Sequence, residues 1–305
     1  MEWPIKSFRS NSLGSNIYVI FSEIGIIVID AGFPKDSAFK QVIHYLKEFP
    51  GTTSHQKPIY LFLTHYHTRH AGAAAEFKDS FSDIEVLAHI DTVHHLNDKD
   101  LVVKGGKPIL CDQVINGPKE FDFGNYSLLS IPLPGHCEGH CAFLLHNLDD
   151  SSPSYDNKYL FTGDLLSIFA PPTYSMRDSN VARLIDSLRR ASDLKFLIAF
   201  PGHGPTLVRR QFVTAAALTL IDLIACGENV LKYLSAPRST EEICKYVFDR
   251  LLHSGEDLQS CLNMTLNHLK KLQDEGRVQN EQGMWVSLEK QTELHVEKAM
   301  SQYKT

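Results

Sequence analysis

Long apolar runs are missing from this 305-residue chain, and no stretch approaches the roughly 18 residues needed to cross a bilayer. Met1 to Ser15 has no basic segment followed by a signal-type apolar stretch, so the sequence reads as soluble and unprocessed. Positive charge is also in deficit. With 30 basic and 36 acidic side chains the formal charge is −6, histidine being neutral. Such a chain has no general attraction for phosphate backbones or anionic membrane surfaces, so nucleic-acid binding would need a local basic patch. Cysteine is sparse: Cys111, Cys137, Cys141, Cys226, Cys244 and Cys261 are spread too thinly for a secreted disulfide framework. A reducing, cytoplasmic compartment is the expectation. Internal repeats and low-complexity segments are absent as well.

What remains is ordinary for a globular protein, with 43% hydrophobic and 22% charged residues. The length suggests two domains at about 150 residues each. Histidine is the abundant residue: there are 15, and nine of them fall between His65 and His146.

Five apolar runs of strand length each end in a residue able to bind metal. Ile26 to Ile29 ends in Asp30, Ile59 to Thr64 in His65, and Leu128 to Leu133, after Pro134-Gly135, in His136. Tyr159 to Gly163 ends in Asp164, and Phe196 to Gly202 in His203. Helical spacing lies between them over Asp36 to Phe49, Ala71 to Phe81 and Asn180 to Ser192. Strands alternating with helices predict an α/β layered domain whose ligands bind beyond the carboxyl ends of the strands. That is where these five residues would converge.

Beyond Pro205 the texture changes. A helical stretch runs from Arg209 to about Leu234. Ser239-Thr240-Glu241-Glu242 reads as a capping box opening a helix through Leu252, and a further helix spans Leu258 to Glu275. Gly276 closes it, and two strand-like pieces surround Asn280-Glu281-Gln282-Gly283. Helix, helix and hairpin is the order of a winged helix. Its basic residues Lys270, Lys271 and Arg277 are offset by Asp274 and Glu275, which argues against DNA as its partner. Asp149 to Asn157 reads as a polar hairpin loop, and residues after Glu293 as a charged tail. The expected division is 1–208, 209–292 and 293–305.

The densest signal is Thr64-His65-Tyr66-His67-Thr68-Arg69-His70. Histidines two apart at a strand end can aim at one ion, with His70 in reach of a neighbouring one. Imidazole is a preferred zinc ligand, and a catalytic zinc needs only three protein ligands plus an open position. Together with Asp30, Gly135-His136, Gly163-Asp164 and Pro201-Gly202-His203-Gly204, this order resembles the metallo-β-lactamase-fold superfamily over about residues 15 to 208. The resemblance implies a four-layer αββα fold with one or two metals at the edge of the sheet sandwich. It also implies roles: His65, His67 and His136 on the first metal, His70 and His203 on the second, and Asp164 bridging, with Asp164 and His203 in the catalytic centre. Asp30 would brace the site without binding metal, and His140 would support it from outside. A winged-helix branch of the superfamily includes single-strand endoribonucleases and polyketide-releasing thioesterases.

Arg69 stands where the family motif has aspartate. A guanidinium about 4 Å from a dication meets repulsion of about 8 kcal/mol at an effective dielectric of 20. Either Arg69 points away, or the second metal is weakened. In the latter case the first metal works alone, Arg69 clamps an anionic substrate, or chemistry is lost. Arg69 as a solvent-facing residue is the plainer alternative. Tyr174 is a further candidate clamp, with loop packing as its competing role. His89, His94 and His95 read as surface residues, and Cys137 and Cys141 as small buried side chains.

The expected function is metal-dependent hydrolysis of a small-molecule ester, thioester or similar acyl substrate by a zinc-bound hydroxide. The alternatives are a single-strand endoribonuclease of the same fold, a non-haem iron oxidoreductase, since two histidines and a carboxylate can hold iron, and a degenerate binding protein.

Overall fold

A computed structural model describes residues 5–9, 14–48, 57–97, 109–150, 157–166 and 174–289. The tail after Glu293, most of the polar loop between Asp149 and Asn157, and Ala170 to Thr173 lie outside them.

Two six-stranded sheets face each other. The first is built in chain order from β1 (Ile5–Arg9), β2 (Asn16–Phe21), β3 (Ile26–Ile29), β4 (Ile59–Leu63), β5 (Ile84–His89) and β6 (Gln113–Ile115). Its first three strands pair antiparallel and β3 to β6 pair parallel. The second holds β7 (Lys119–Asp122), β8 (Tyr126–Pro132), β9 (Cys141–Asn147), β10 (Lys158–Gly163), β11 (Ile198–Pro201) and β12 (Leu207–Val208), again in chain order across the sheet. Here only β10 and β11 run parallel.

Alternation along each strand explains the layers. In β3, Ile26 and Val28 face the helices α1 (Ser37–Glu48), α2 (Thr68–Ala71), α3 (Ala74–Ser80) and α4 (Ile90–Asn97), while Ile27 and Ile29 face the second sheet. A strand buried on both faces reads as an unbroken apolar run, which is why these strands stand out in the sequence. Between the sheets, Phe62, Phe143, Phe161 and Phe200 pack as edge-on and stacked rings, with Phe62 to Phe143 at 5.3 Å. Each such fully buried ring contributes about 1.5–3 kcal/mol through apolar burial. The outer face of the second sheet, Leu160 and Ala199 among it, is covered by α5 (Val181–Asp193) and α6 (Arg209–Tyr233). The order is helices, sheet, sheet, helices, the four layers expected.

The remaining elements are α7 (Thr240–Val247), α8 (Asp249–His253), α9 (Leu258–Asp274) and the hairpin β13 (Val278–Glu281) with β14 (Met284–Ser287). The Ser239 capping box forms as expected, Ser239 Oγ accepting from Glu242 N and Glu242 Oε2 from Ser239 N. Three details differ from the sequence reading. The helix expected through Leu252 breaks at Phe248, and the one expected over Ala71 to Phe81 is two short helices separated by Gly72 and Ala73, Ala73 N donating to Gly32 O. The third is α6, which is long and apolar enough by length and composition to cross a membrane, although polar residues such as Thr219 and Asp222 interrupt its apolar runs. Its Phe212, Ala216 and Leu223 join the cluster on the second sheet, so the apolar core continues past Val208.

Candidate metal centre

Seven polar side chains meet at one edge of the sandwich, beyond the carboxyl ends of β3, β4, β10 and β11 and in the loop after β8. Asp30, His65, His70 and His136 are each 2% exposed or less, which no unpartnered charged or imidazole group tolerates cheaply. Two groups of donors form. In one, His65, His67 and His136 converge, with His67 Nδ1 and His136 Nε2 2.9 Å apart. In the other, His70 Nε2 lies 3.2 Å from His203 Nε2 and 3.3 Å from Asp164 Oδ1, and His203 Nε2 lies 3.3 Å from Asp164 Oδ2. Asp164 Oδ2 also approaches His136 Nε2 at 3.7 Å and His65 Nε2 at 3.9 Å, so the carboxylate stands between the two groups. Ligands of a tetrahedral zinc at 2.0–2.1 Å are about 3.3 Å from one another. His65 Nε2 and His67 Nε2 are buried and have no hydrogen-bond partner among the described residues. Unsatisfied imidazole nitrogens within a cluster of potential ligands are what a metal ion would satisfy, so the residues fit the group.

A supporting shell fixes which nitrogen faces the centre. Asp30, at a left-handed φ of 63°, accepts from Thr64 N at 2.7 Å, from Thr64 Oγ1 at 2.9 Å and from His70 Nδ1 at 2.8 Å. Thr64 Oγ1 in turn contacts His65 Nδ1 at 3.0 Å. One carboxylate thus orients both His65 and His70 with Nε2 inward. His140 donates from Nδ1 to Leu133 O at 3.0 Å and accepts from Asp164 N at 3.1 Å, so it is a brace and not a donor to the centre. His203 Nδ1 rests on Gly14 O at 3.1 Å. Gly163 makes the approach feasible: at φ 52° a Cβ would stand 2.6 Å from His140 Nε2.

This fold matches known proteins. The metallo-beta-lactamase superfamily model aligns with residues 11–203. The chain belongs to that superfamily. A member named as a thioesterase from Emericella nidulans is 27% identical over 195 residues, 64% of this chain and 47% of that protein. The chain spans about half the length of the thioesterases it matches. A probable metallo-hydrolase of Bacillus subtilis is 28% identical over 215 residues, 67% of this chain and 91% of the relative. A metallo-beta-lactamase family protein of Thermus thermophilus shares the fold at a TM-score of 0.72 and 17% identity, covering 93% of this chain and 98% of that one. That likeness takes in the helices after Val208.

In this superfamily member the electrostatics divide the centre. Burial, together with neighbouring imidazoles, holds His65 and His67 well below the usual histidine range, so both are neutral and ready to ligate. Burial also presses down on His70, but the Asp164 and Asp30 carboxylates overcome it and raise its pKa to about 10. Burial would raise the Asp164 pKa, yet His70 and His203 hold it well below the usual carboxylate range. Without metal, His70 therefore carries a proton between two carboxylates.

Two side chains are placed by partners far along the chain. Tyr174 is 4% exposed and its hydroxyl meets His268 Nε2 of α9 at 2.8 Å, so it packs toward the C-terminal helices, the alternative to a clamp. Of the histidines expected at the surface, His94 is exposed but His89 and His95 are half-buried, and His95 stacks on Tyr66 at 4.3 Å and approaches Asp178 Oδ2 at 3.4 Å. Asp178, which the sequence reading passed over, accepts from Tyr66 Oη at 2.8 Å and from Glu138 N at 3.0 Å. Arg69 is exposed, its carbonyl accepting from Ser15 Oγ, and its guanidinium has no ion pair among the described residues.

Proposed function

We propose that this chain is a metal-dependent hydrolase of acyl thioesters or esters, with zinc held first by His65, His67, His136 and Asp164. The observation that carries the reading is the convergence of His65, His67 and His136 on one point beside the Asp164 carboxylate, with His65 Nε2 left without a partner among the described residues. A bound zinc supplies Lewis acidity toward a carbonyl and lowers the pKa of a water to about 7. The chain's own residues do the rest. Asp30 and Thr64 orient the imidazoles, His140 fixes the Asp164 backbone, and Asp164 faces both halves of the centre. Arg69, exposed one residue before His70 and without an ion pair among the described residues, is read as the contact for an anionic part of the substrate, a role suited to a planar fork of donors. The thioesterase names of two relatives support a thioester over other acyl groups. The elements of 209–292 are read as a winged-helix module that walls the cleft, and the six free thiols suit a cytoplasmic setting.

One observation favours a second reading. The triangle of His70, His203 and Asp164 with edges of 3.2–3.3 Å suits a second ion, and paired ions clamp phosphodiesters during in-line displacement. The net charge of −6 weighs against an RNA substrate.

Elemental analysis of chelator-free protein, beside His67→Ala and His203→Ala variants, separates the readings when combined with turnover of acyl thioesters and of single-stranded RNA. About one zinc per chain, lost in His67→Ala but kept in His203→Ala, with thioester turnover, is the expected result. Two zincs with RNA cleavage would favour the second reading. Iron would move the search to oxidative substrates, and no metal under replete conditions would refute the hydrolase.

A further inference from the structure

Residues 174–180 carry bonds in two directions. Toward α9, Asn263 Nδ2 donates to Ser175 O at 2.6 Å, Asn267 Nδ2 to Tyr174 O at 3.2 Å, and Tyr174 Oη meets His268 Nε2 at 2.8 Å. Toward the metal centre, Ser179 Oγ donates to His136 O at 2.7 Å and Asn180 N to Gly135 O at 2.9 Å. Asp178 takes the Tyr66 hydroxyl on one oxygen and the Glu138 amide on the other. Tyr66 sits between His65 and His67, and Glu138 lies two residues after His136. Among the described residues, every centre-facing bond of this segment lands on Tyr66, Gly135, His136 or Glu138, and none on the groups that hold the His70 and His203 rings.

We propose that the face of α9 bearing Asn263, Asn267 and His268 holds the first half of the metal centre in shape through residues 174–180, with Asp178 and Ser179 as positioning residues for His67 and His136. The need is physical. His67 Nδ1 and His136 Nε2 come from separate loops and approach to 2.9 Å, and neither loop is part of a helix or strand at that point. A metal site tolerates errors of only about 0.2 Å in its ligand distances, so loops that carry ligands require outside support. Ser179 fixes the His136 carbonyl, and Asp178 ties the two loops to each other. The second half takes its support elsewhere, His70 from Asp30 and His203 from Gly14 O. The proposal rests on the metal reading of the centre and is independent of its substrate.

Cobalt(II) absorption titrations test it without any turnover assay. A His203→Ala background isolates the first half, and a His67→Ala background the second. Adding Asn263→Ala with Asn267→Ala is expected to weaken cobalt binding about 10–100-fold in the first background and to leave the second within about twofold. Ser179→Ala should weaken the first half in the same way, and Ser179→Thr, which keeps the hydroxyl, should restore it. The serine pair carries the test if the asparagine variant does not fold. Equal losses in both halves, or an unchanged first half, would overturn the proposal while leaving the metal reading intact. Failure of the His203→Ala parent to bind cobalt would overturn the metal reading and the proposal with it.

Discussion

Acid should loosen the C-terminal helices through one buried histidine. His268 is 1% exposed in α9, and burial, with Lys271 adding to it, lowers its pKa to about 4. In the unfolded chain the value is about 6.5. The unfolded state therefore binds the proton more readily between these values. The stability this group contributes is fully present above about pH 6.5 and is lost as pH falls toward 4. A gap of about 2.5 pH units corresponds to about 3.4 kcal/mol, of which about 2 kcal/mol is gone at pH 5.0. Comparing the protein with a His268→Gln variant isolates the effect, because the metal ligands titrate alike in both. Denaturant unfolding followed by fluorescence of Trp285, buried in the cluster with Leu269 and Leu272, is the assay. Between pH 7.5 and 5.0 the unsubstituted protein should lose about 2 kcal/mol more than the variant. Parallel pH dependence of the two would show that His268 is not held neutral, and would refute the reasoning.

Other perturbations have equally definite outcomes. With His70 protonated up to about pH 10 in the metal-free protein, an ion in the second half must displace that proton. Cobalt affinity in His67→Ala should then rise about tenfold per pH unit between pH 6 and 9, and calorimetry in buffers of different ionisation enthalpy should detect about one proton released per ion. The same shift has the opposite sign to that of His268: its stabilising contribution is complete below about pH 6.5 and is lost as pH rises through about 10. Gly163→Ala forces a left-handed residue and a 2.6 Å approach to His140, so it should cost about 2 kcal/mol in denaturant unfolding and weaken cobalt binding in both halves through Asp164. Ser239→Ala removes the acceptor for Glu242 N and should cost about 1 kcal/mol in the same unfolding assay, with no change in metal content.

The legible parts of the sequence were those where one local rule governs. The runs of β3, β4, β10 and β11 are buried on both faces and stand out as continuous apolar segments. Each stops where the backbone leaves the sheet and a polar side chain turns inward, so Asp30, His65, Asp164 and His203 could be found without coordinates. By contrast, β7 (Lys-Glu-Phe-Asp) is an edge strand with exposed charges and resembles a loop. The break at Phe248 lies within a continuous helical pattern. Long-range partners were invisible: Tyr174 finds His268 94 residues later, and Tyr66 finds Asp178 112 residues later. No periodicity encodes such pairs, so the sequence alone does not decide between clamp and packing for Tyr174, nor place His95 against Tyr66.

The centre also explains why the two sheets must be locked in register. Each half draws on both sheets: His65, His67 and His70 follow β4 of the first, whereas His136, Asp164 and His203 follow strands of the second. The apolar layer between the sheets is non-directional and would resist a small slide only weakly. Directional bonds at the site edge supply the missing constraint. Cys141 N donates to Thr64 O at 2.8 Å, and Asn16 N to Gly202 O at 2.7 Å. Asn16 Nδ2 donates to Pro201 O and Gly204 O, each at 2.9 Å, and Tyr18 Oη to Pro201 O at 2.6 Å. These bonds touch the residue before His65 and both neighbours of His203, so a shift between the sheets cannot occur without moving ligands apart. Thr64 is the junction, since its carbonyl bonds the second sheet while its hydroxyl bonds Asp30 and His65. Sheet register, imidazole orientation and the position of Asp164 against both histidine groups are in this way set by one contiguous hydrogen-bond network.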